Sequence, residues 1–213
     1  MGTSRQDWLA WHQRYEDPDS PLARRLRVVQ RLVGEALDAA PPGPVTVASL
    51  CAGQGRDLLG ALAGHPRRGD VAGRLVELDE RNVAIAREAY AAAGLPAIEV
   101  VAGDAALTDA YAGAVPAALV LVCGVFGNVT DADAERIVEH LPAFCGPGAA
   151  VVWTRHRRPP DQTVRIRAWL ERRGFEEVAF DAPSDTLFGV GLHRLSAAPV
   201  PLPSGVRLFT FVR

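Results

Sequence analysis

The chain has 213 residues, of which 48% are hydrophobic, and this is enough for one domain with a single substantial core. Its formal net charge is -2, so no overall positive charge favours nucleic acid or an anionic membrane as a partner. Its 23 basic side chains are all arginine, which excludes lysine-based chemistry. The cysteines contain no CxxC pair and therefore suggest neither a disulfide framework nor a zinc site: Cys51, Cys123 and Cys145.

No apolar run approaches the roughly 20 residues that a membrane-spanning helix needs. The first 15 residues carry charged side chains and lack the apolar run of a signal peptide. We therefore expect a soluble, cytoplasmic protein that does not bind membranes.

Residues 5–40 have helical spacing of apolar side chains on both sides of a break at residues 17–21, and the Pro- and Gly-containing segment 41–44 ends this pattern. Short apolar runs then alternate with helix-like segments, as in a parallel sheet covered on both faces. The predicted strands are 45–50, 73–78, 97–102, 118–123 and 149–154, and the predicted helices are 56–63, 80–93, 105–111, 132–144 and 162–173. Further strand-like segments follow at 177–181, 188–195 and 207–211.

The predicted fold is a three-layer, Rossmann-like α/β sandwich. Its sheet is expected to be mostly parallel and seven-stranded, with an antiparallel hairpin at the C-terminal end. We expect a single domain over residues 1–213, in which residues 1–40 form a helical lid and residues 45–213 form the Rossmann-like core.

A glycine-containing turn at residues 51–55 connects the first predicted strand to a helix. Small residues there let the backbone approach a ligand, and the helix N-terminus favours its negative end. Glu77 ends the second strand about twenty residues further on, where a carboxylate can accept hydrogen bonds from ribose hydroxyls or simply lie in a solvated loop. Asp79 suits a helix N-cap, and Asp104, at the end of the third strand, suits a ligand contact, a cap or both.

Over residues 45–213 these motifs resemble those of class I S-adenosylmethionine-dependent methyltransferases. The resemblance implies that Glu77 binds ribose, that Leu78 packs on adenine and that Asp104 with Ala105 faces adenine. Residues of the glycine turn and of the fourth strand would complete the cofactor site: Cys51, Ala52, Gly53, Gln54, Gly55 and Cys123.

Two positions depart from the pattern of that family. Ser49 stands where an acid is usual, and Cys51 stands where glycine is usual, so Cys51 is expected to preserve the turn only with a negative φ. Leu58 occupies the third glycine position of a dinucleotide-binding turn, which argues against a dehydrogenase.

No sequence motif identifies a catalytic residue, and the substrate side offers only candidates with alternatives. Tyr15 precedes a Pro-bounded loop, and Phe126 either stacks on a substrate or closes the core. Asn128 is a turn residue or a helix cap, and His156 is a general base or a solvated loop histidine. The remaining candidates are Arg155, which either attracts an acidic substrate or is surface charge, and His193, which points either to solvent or into the pocket.

The five histidines have no metal-ligand spacing, so we expect no metal site. The predicted activity is methyl transfer from S-adenosylmethionine to a small molecule, at oxygen or nitrogen, by a monomer or homodimer. A cofactor-binding but non-catalytic protein that acts through a partner is the alternative. Nucleic-acid modification is disfavoured because only short arginine-rich segments would form a basic face.

Overall fold

A computed structural model of the protein describes residues 7–212, in which a sheet is flanked by helices. Residues 1–6 of the predicted N-terminal lid, which include the first two residues of the predicted helical segment, lie outside the described residues. The helices are α1 (Trp8–His12), α2 (Pro21–Ala39), α3 (Arg56–Leu62), α4 (Glu80–Ala92), α5 (Asp131–Phe144) and α6 (Thr163–Arg172). The strands are β1 (Val45–Leu50), β2 (Val71–Glu77), β3 (Ile98–Ala102), β4 (Ala117–Val122), β5 (Cys145–His156), β6 (Phe175–Asp181) and β7 (Phe188–Leu195).

The seven strands form one sheet in the order β3-β2-β1-β4-β5-β7-β6. Strands β1 to β5 pair in parallel, whereas β7 is antiparallel to both β5 and β6. The predicted α/β class, the mostly parallel sheet and the antiparallel hairpin are therefore confirmed. Because β1 lies between β2 and β4, the strand order reverses beside it, and open α/β sheets bind ligands at such a point.

Helices cover both faces of the sheet and create two apolar layers. One layer joins the sheet to α5 and α6 through Ile137 and Trp169, and the other joins it to α2, α3 and α4 through Val33, Leu58 and Val83. Burying apolar side chains on both faces is the main stabilising term of this architecture.

Helix α2 starts where its sequence predicts. Ser20 is the N-cap, its hydroxyl accepts a hydrogen bond from the amide of Ala23 at 3.0 Å, and Pro21 occupies the first turn. Within residues 7–212, no helix combines the length and the apolar character that crossing a membrane requires.

Two predicted elements are wrong, and both differences have one cause, because the two segments form backbone hydrogen bonds with each other. The helix predicted at 105–111 is only a 3-10 helix at Thr108–Tyr111, and the strand predicted at 207–211 is reduced to one isolated bridge between Leu107 and Arg207. The amide of Thr108 donates to the carbonyl of Val206, and the amide of Leu208 donates to that of Ala106. The C-terminal segment thus takes backbone groups that a longer helix would have used.

Candidate functional site

A cleft of about 1940 Å³ opens at the carboxyl ends of the parallel strands. Its walls come from α1, the start of α2, the loops after β1, β2, β3 and β4, the end of β5, the loop before β7 and the C-terminal segment. The topology therefore gathers the predicted strand-end residues around one space at the point where the strand order reverses.

The turn after β1 is held in a left-handed conformation at three positions. The φ angles are +52° at Cys51, +56° at Gly53 and +68° at Gly55. The expectation of a negative φ at Cys51 is wrong, because the chain must turn back sharply before α3. Two backbone hydrogen bonds fix this path: the amide of Ala52 donates to Val76 at 3.0 Å, and that of Gly55 donates to Ala52 at 2.9 Å. A non-glycine residue in this region carries strain, which is common at ligand sites.

The carboxylate of Glu77 connects the turn to the end of β2. One oxygen accepts a hydrogen bond from the amide of Gly53 at 2.8 Å, and the other accepts one from the amide of Asp79 at 2.9 Å. Burial raises the pKa of Glu77, and these two amides oppose that effect by stabilising the anion. Asp79 is the N-cap of α4, as predicted.

Leu78 and Asp104 lie on the same side of the cleft as Glu77. The side chain of Leu78 is 60% exposed although it is apolar, and it lines the cleft. Asp104 accepts a hydrogen bond from the amide of Ala106 at 3.0 Å and forms an ion pair with Arg207 at 2.9 Å. Ala105 and Ala106 are both buried, and of the two only Ala106 lies in the cleft wall.

Helix α1 places His12 directly on the glycine turn. A methyl group added at Gly53 would lie 2.3 Å from Nε2 of His12. The other ring nitrogen, Nδ1, lies 2.7 Å from the carbonyl oxygen of Trp8, so it carries a proton and donates it there. Burial lowers the pKa of His12, and the ring is therefore neutral near pH 7 with an unprotonated Nε2 beside the turn.

The segment around α1 is tied to three parts of the cleft wall. Asp7 pairs with Arg81 at 3.0 Å, and Glu16 pairs with Arg56 at 2.8 Å. The Trp8 ring lies 5.9 Å from that of Phe211 in the C-terminal segment. These contacts place the segment where a lid would be, and its role as a lid stays a prediction.

A polar cluster lies between the glycine turn and α2. Arg25 donates a hydrogen bond to the hydroxyl of Tyr15 at 3.1 Å, and both side chains line the cleft. Burial raises the pKa of Tyr15 to about 12, so this hydroxyl keeps its proton at neutral pH. Asp57 and Cys123 also line the cleft here, and burial raises the pKa of both groups.

The loop after β4 has one buried and one cleft-lining candidate. Phe126 is 1% exposed and packs edge-on against Trp153 at 5.9 Å, which places it in the core. Asn128 lines the cleft and donates to the carbonyl of Gly124 at 2.6 Å, so it is a turn residue, and Thr130 is the N-cap of α5.

The end of β5 contributes Thr154, Arg155 and His156 to the cleft. The hydroxyl of Thr154 accepts a hydrogen bond from the amide of Gly124 at 2.8 Å and thereby holds the loop after β4. Arg155 donates to the carbonyl of Phe126. His156 is half-buried and lies against Gly127.

Besides Ala105 and Phe126, three further predicted site residues lie outside the walls of the cleft. Gln54 is buried and bonds through its side chain to Asn82 at 3.2 Å and Arg56 at 3.0 Å. The carbonyl of Gly55 accepts a hydrogen bond from the hydroxyl of Tyr90 at 2.9 Å, and this glycine is the N-cap residue of α3. His193 is 1% exposed and accepts a hydrogen bond from the Trp153 indole at 3.2 Å. The alternation of residues along the strand did not show which way the His193 side chain points, and in the structure it points into the core.

Sequence reasoning did not select His12, Arg25, Asp57 or Thr154 as site residues. Their signal is weak because a lone charged or hydroxyl residue in a helix or strand has no spacing to mark it. The turn that brings α1 and α2 over the cleft is a tertiary feature. Asp57, two residues after the last glycine of the turn, is the one position that the motif itself could have indicated.

Comparison with solved structures identifies the class of fold. An O-methyltransferase family protein from Burkholderia thailandensis matches with a TM-score of 0.66 and 17% identity, covering 82% of this chain and 56% of that one. The CurJ carbon methyltransferase matches with a TM-score of 0.69 and 13% identity, covering 90% and 59%. SMU.776, a methyltransferase in complex with SAH, matches with a TM-score of 0.59 and 13% identity, covering 78% and 49%.

The chain thus has the Rossmann-like fold of S-adenosylmethionine-dependent methyltransferases. It spans between about half and 59% of the length of these three proteins. No family model matches the sequence, and no curated protein sequence matches it.

Proposed function

We propose that this protein binds S-adenosylmethionine and transfers its methyl group to an oxygen or nitrogen atom of a small-molecule acceptor. The observation that carries the proposal is the Glu77 carboxylate, which is fixed by the amides of Gly53 and Asp79 at the point where the strand order reverses. The solved methyltransferase structures with a similar fold support the proposal, and one of them is a complex with SAH.

The residues of the cleft fit this cofactor. Each oxygen of Glu77 accepts one backbone hydrogen bond, which leaves further lone pairs for the two ribose hydroxyls. The exposed Leu78 side chain offers an apolar surface to adenine, and Asp104 lies beside it. The strained turn at Cys51 and Gly53 brings bare backbone to the cleft for the amino-acid end. When bound, S-adenosylmethionine supplies a methyl group on a positively charged sulfur.

The protein's own contribution to methyl transfer is to orient the acceptor and exclude water. Tyr15 keeps its proton and can donate a hydrogen bond to the acceptor, since its oxygen already accepts from Arg25. We assign His156 as the group that takes the acceptor's proton, because it lines the cleft where the acceptor would enter. With the cofactor held at Glu77 and the glycine turn, Tyr15 and His156 would orient the acceptor toward the methyl group that the cofactor would supply.

Calorimetric titration with S-adenosylmethionine and S-adenosylhomocysteine tests the cofactor assignment, with NAD as the control ligand. Glu77→Gln should weaken binding about tenfold or more, because hydrogen bonds to a charged group are lost. Glu99→Gln is the matched control, since Glu99 is an exposed acid on the next strand that pairs with Arg74 outside the cleft.

The outcomes separate the competing interpretations. Micromolar binding of both sulfur ligands, weakened only by the Glu77 variant, supports the cofactor site. Tighter binding of NAD, or no binding to a folded protein, refutes it. Binding without methyl transfer across a broad acceptor panel would favour the non-catalytic alternative.

A further inference from the structure

One part of the cleft carries an excess of positive charge. We define the acceptor side as the part lined by α2, the loop after β4, the end of β5 and the loop between β6 and β7. Its charged lining residues are Arg24, Arg25, Arg155, Arg158 and Asp185, together with Asp57, which faces Arg25 from α3. Four arginines therefore meet two acids, of which Asp185 is paired with Arg24 at 2.6 Å.

The opposite part of the cleft has no positive excess, because its acids, which include Glu77 and Glu80, outnumber its arginines. There Arg81 pairs with Asp7 and Asp79, and Arg207 pairs with Asp104. The cationic excess is therefore confined to the acceptor side. It could not be read from the whole chain, whose net charge is -2.

Arg25 is the key residue on this side. Its guanidinium is half-buried, donates to the Tyr15 hydroxyl and lies 5.9 Å from the centre of the Trp11 ring. Among residues 7–212, no carboxylate reaches ion-pair distance from it. Asp57 faces it from α3 and attracts it, but this carboxylate does not come within ion-pair distance. A partly desolvated guanidinium gains most from an anion that brings its own hydrogen-bond acceptors.

Arg158 lies at the mouth of the cleft, beyond the end of β5. It is exposed, and in the described part of the chain it has no ion pair. The cleft walls also include flat and apolar side chains: Trp11 and Tyr15 come from the α1 segment, and Leu187 and Phe188 come from the start of β7 and the residue before it. A ligand that fits this region has an apolar body and a negatively charged group.

We infer that the acceptor is a small, partly apolar molecule that carries a carboxylate or a phosphate, and that Arg25 and Arg158 bind this anion. The inference rests on the proposed function and names the substrate class of the same site. An anionic acceptor also complements the positive charge of the methyl donor, since opposite charges attract within a water-poor cleft.

Three matched probes test the inference in calorimetric titrations at low ionic strength, where charge interactions are least screened. Benzoate and phenyl phosphate carry the two candidate anions on one aromatic body, and benzamide is the neutral counterpart. Each is titrated into the wild-type protein with and without saturating S-adenosylhomocysteine, and into Arg25→Gln and Arg158→Gln. Arg172→Gln is the control, because Arg172 lies on α6 away from the cleft.

We expect benzoate or phenyl phosphate to bind about tenfold more tightly than benzamide, and each cleft variant to reduce this preference to about threefold or less. The stronger of the two anions identifies the charged group. Equal binding of all three probes, no anion binding, or a preference that both variants retain would overturn the inference. Because Arg158 is exposed, its variant remains informative if Arg25→Gln unfolds. Failure of S-adenosylhomocysteine to bind would instead count against the proposed function.

Discussion

Adding one methyl group at Gly53 tests the contact between α1 and the glycine turn. Gly53→Ala places the new carbon 2.3 Å from Nε2 and 2.8 Å from Cε1 of His12. Real side chains do not approach so closely, so His12 must move. Gly53 also has a φ of +56°, which alanine adopts only with strain.

The loss of stability expected for Gly53→Ala has a backbone part and a steric part. The left-handed conformation costs about 1 kcal/mol for alanine. Displacing His12 breaks its hydrogen bond to Trp8, which contributes about 1 kcal/mol, and loses part of the burial of its ring. We expect a total loss of about 2 to 3 kcal/mol. The steric part cannot exceed the free energy with which α1 is docked, since undocking α1 also relieves the clash.

The matched control is Gly94→Ala. Gly94 has a φ of +66°, and an added methyl group there meets nothing within 4 Å, so only the backbone part remains. Urea unfolding of both variants, of His12→Ala and of the Gly53→Ala, His12→Ala double variant gives a complete cycle. In the His12→Ala background, Gly53→Ala should cost only about 1 kcal/mol.

Equal costs for Gly53→Ala and Gly94→Ala, or a cycle without coupling, would refute the contact and with it the position of α1. The same variants should be titrated with S-adenosylhomocysteine. Because the amide of Gly53 donates to Glu77, a displaced turn should also weaken binding, whereas Gly94→Ala should leave it unchanged.

Two further predictions concern buried or strained positions. Burial lowers the pKa of His193 from 6.5 to about 4, so its contribution is fully present above pH 6.5 and is lost as the pH falls toward 4, a total of about 3 kcal/mol. In urea unfolding at pH 7 and 4.5, His193→Gln should reduce the loss of stability on acidification. An unchanged loss, equal to that of the control His140→Gln at a half-buried histidine, would contradict this. Cys51→Gly should leave the free energy of unfolding within about 1 kcal/mol of wild type or raise it, because relief of left-handed strain offsets the added freedom of the unfolded chain. Cys51→Val should lower it by about 2 kcal/mol or more, and equal stability of the two variants would show that the turn has no left-handed requirement there.

The pattern of apolar residues was sufficient to predict the sheet and most helices. Alternating short apolar runs and helical segments specify a parallel sheet covered on both faces, and the residues that cap α4 and α5 mark their starts locally. The glycine turn and Glu77 were also predictable, since both follow from their positions at strand ends.

The direction of individual side chains was not predictable. His193 alternates with apolar neighbours, which suits either the core or a pocket, and Phe126 suits either a substrate contact or the core. Only packing against Trp153 decided for the core at both positions. The segment 207–211 has a strand-like sequence, but its backbone partners are residues after β3, far away in the chain.

Three properties could be read from the sequence alone: which strand ends lead into a glycine turn, which strand ends carry an acid, and which elements are buried. These properties depend on local spacing and on burial, both of which a single chain records. Tertiary structure alone decided that α1 rests on Gly53 and that Arg25 and Arg158 share one cleft with the strand ends. Such contacts join residues more than forty positions apart, and their energy comes from the docking of whole elements, which no local pattern encodes.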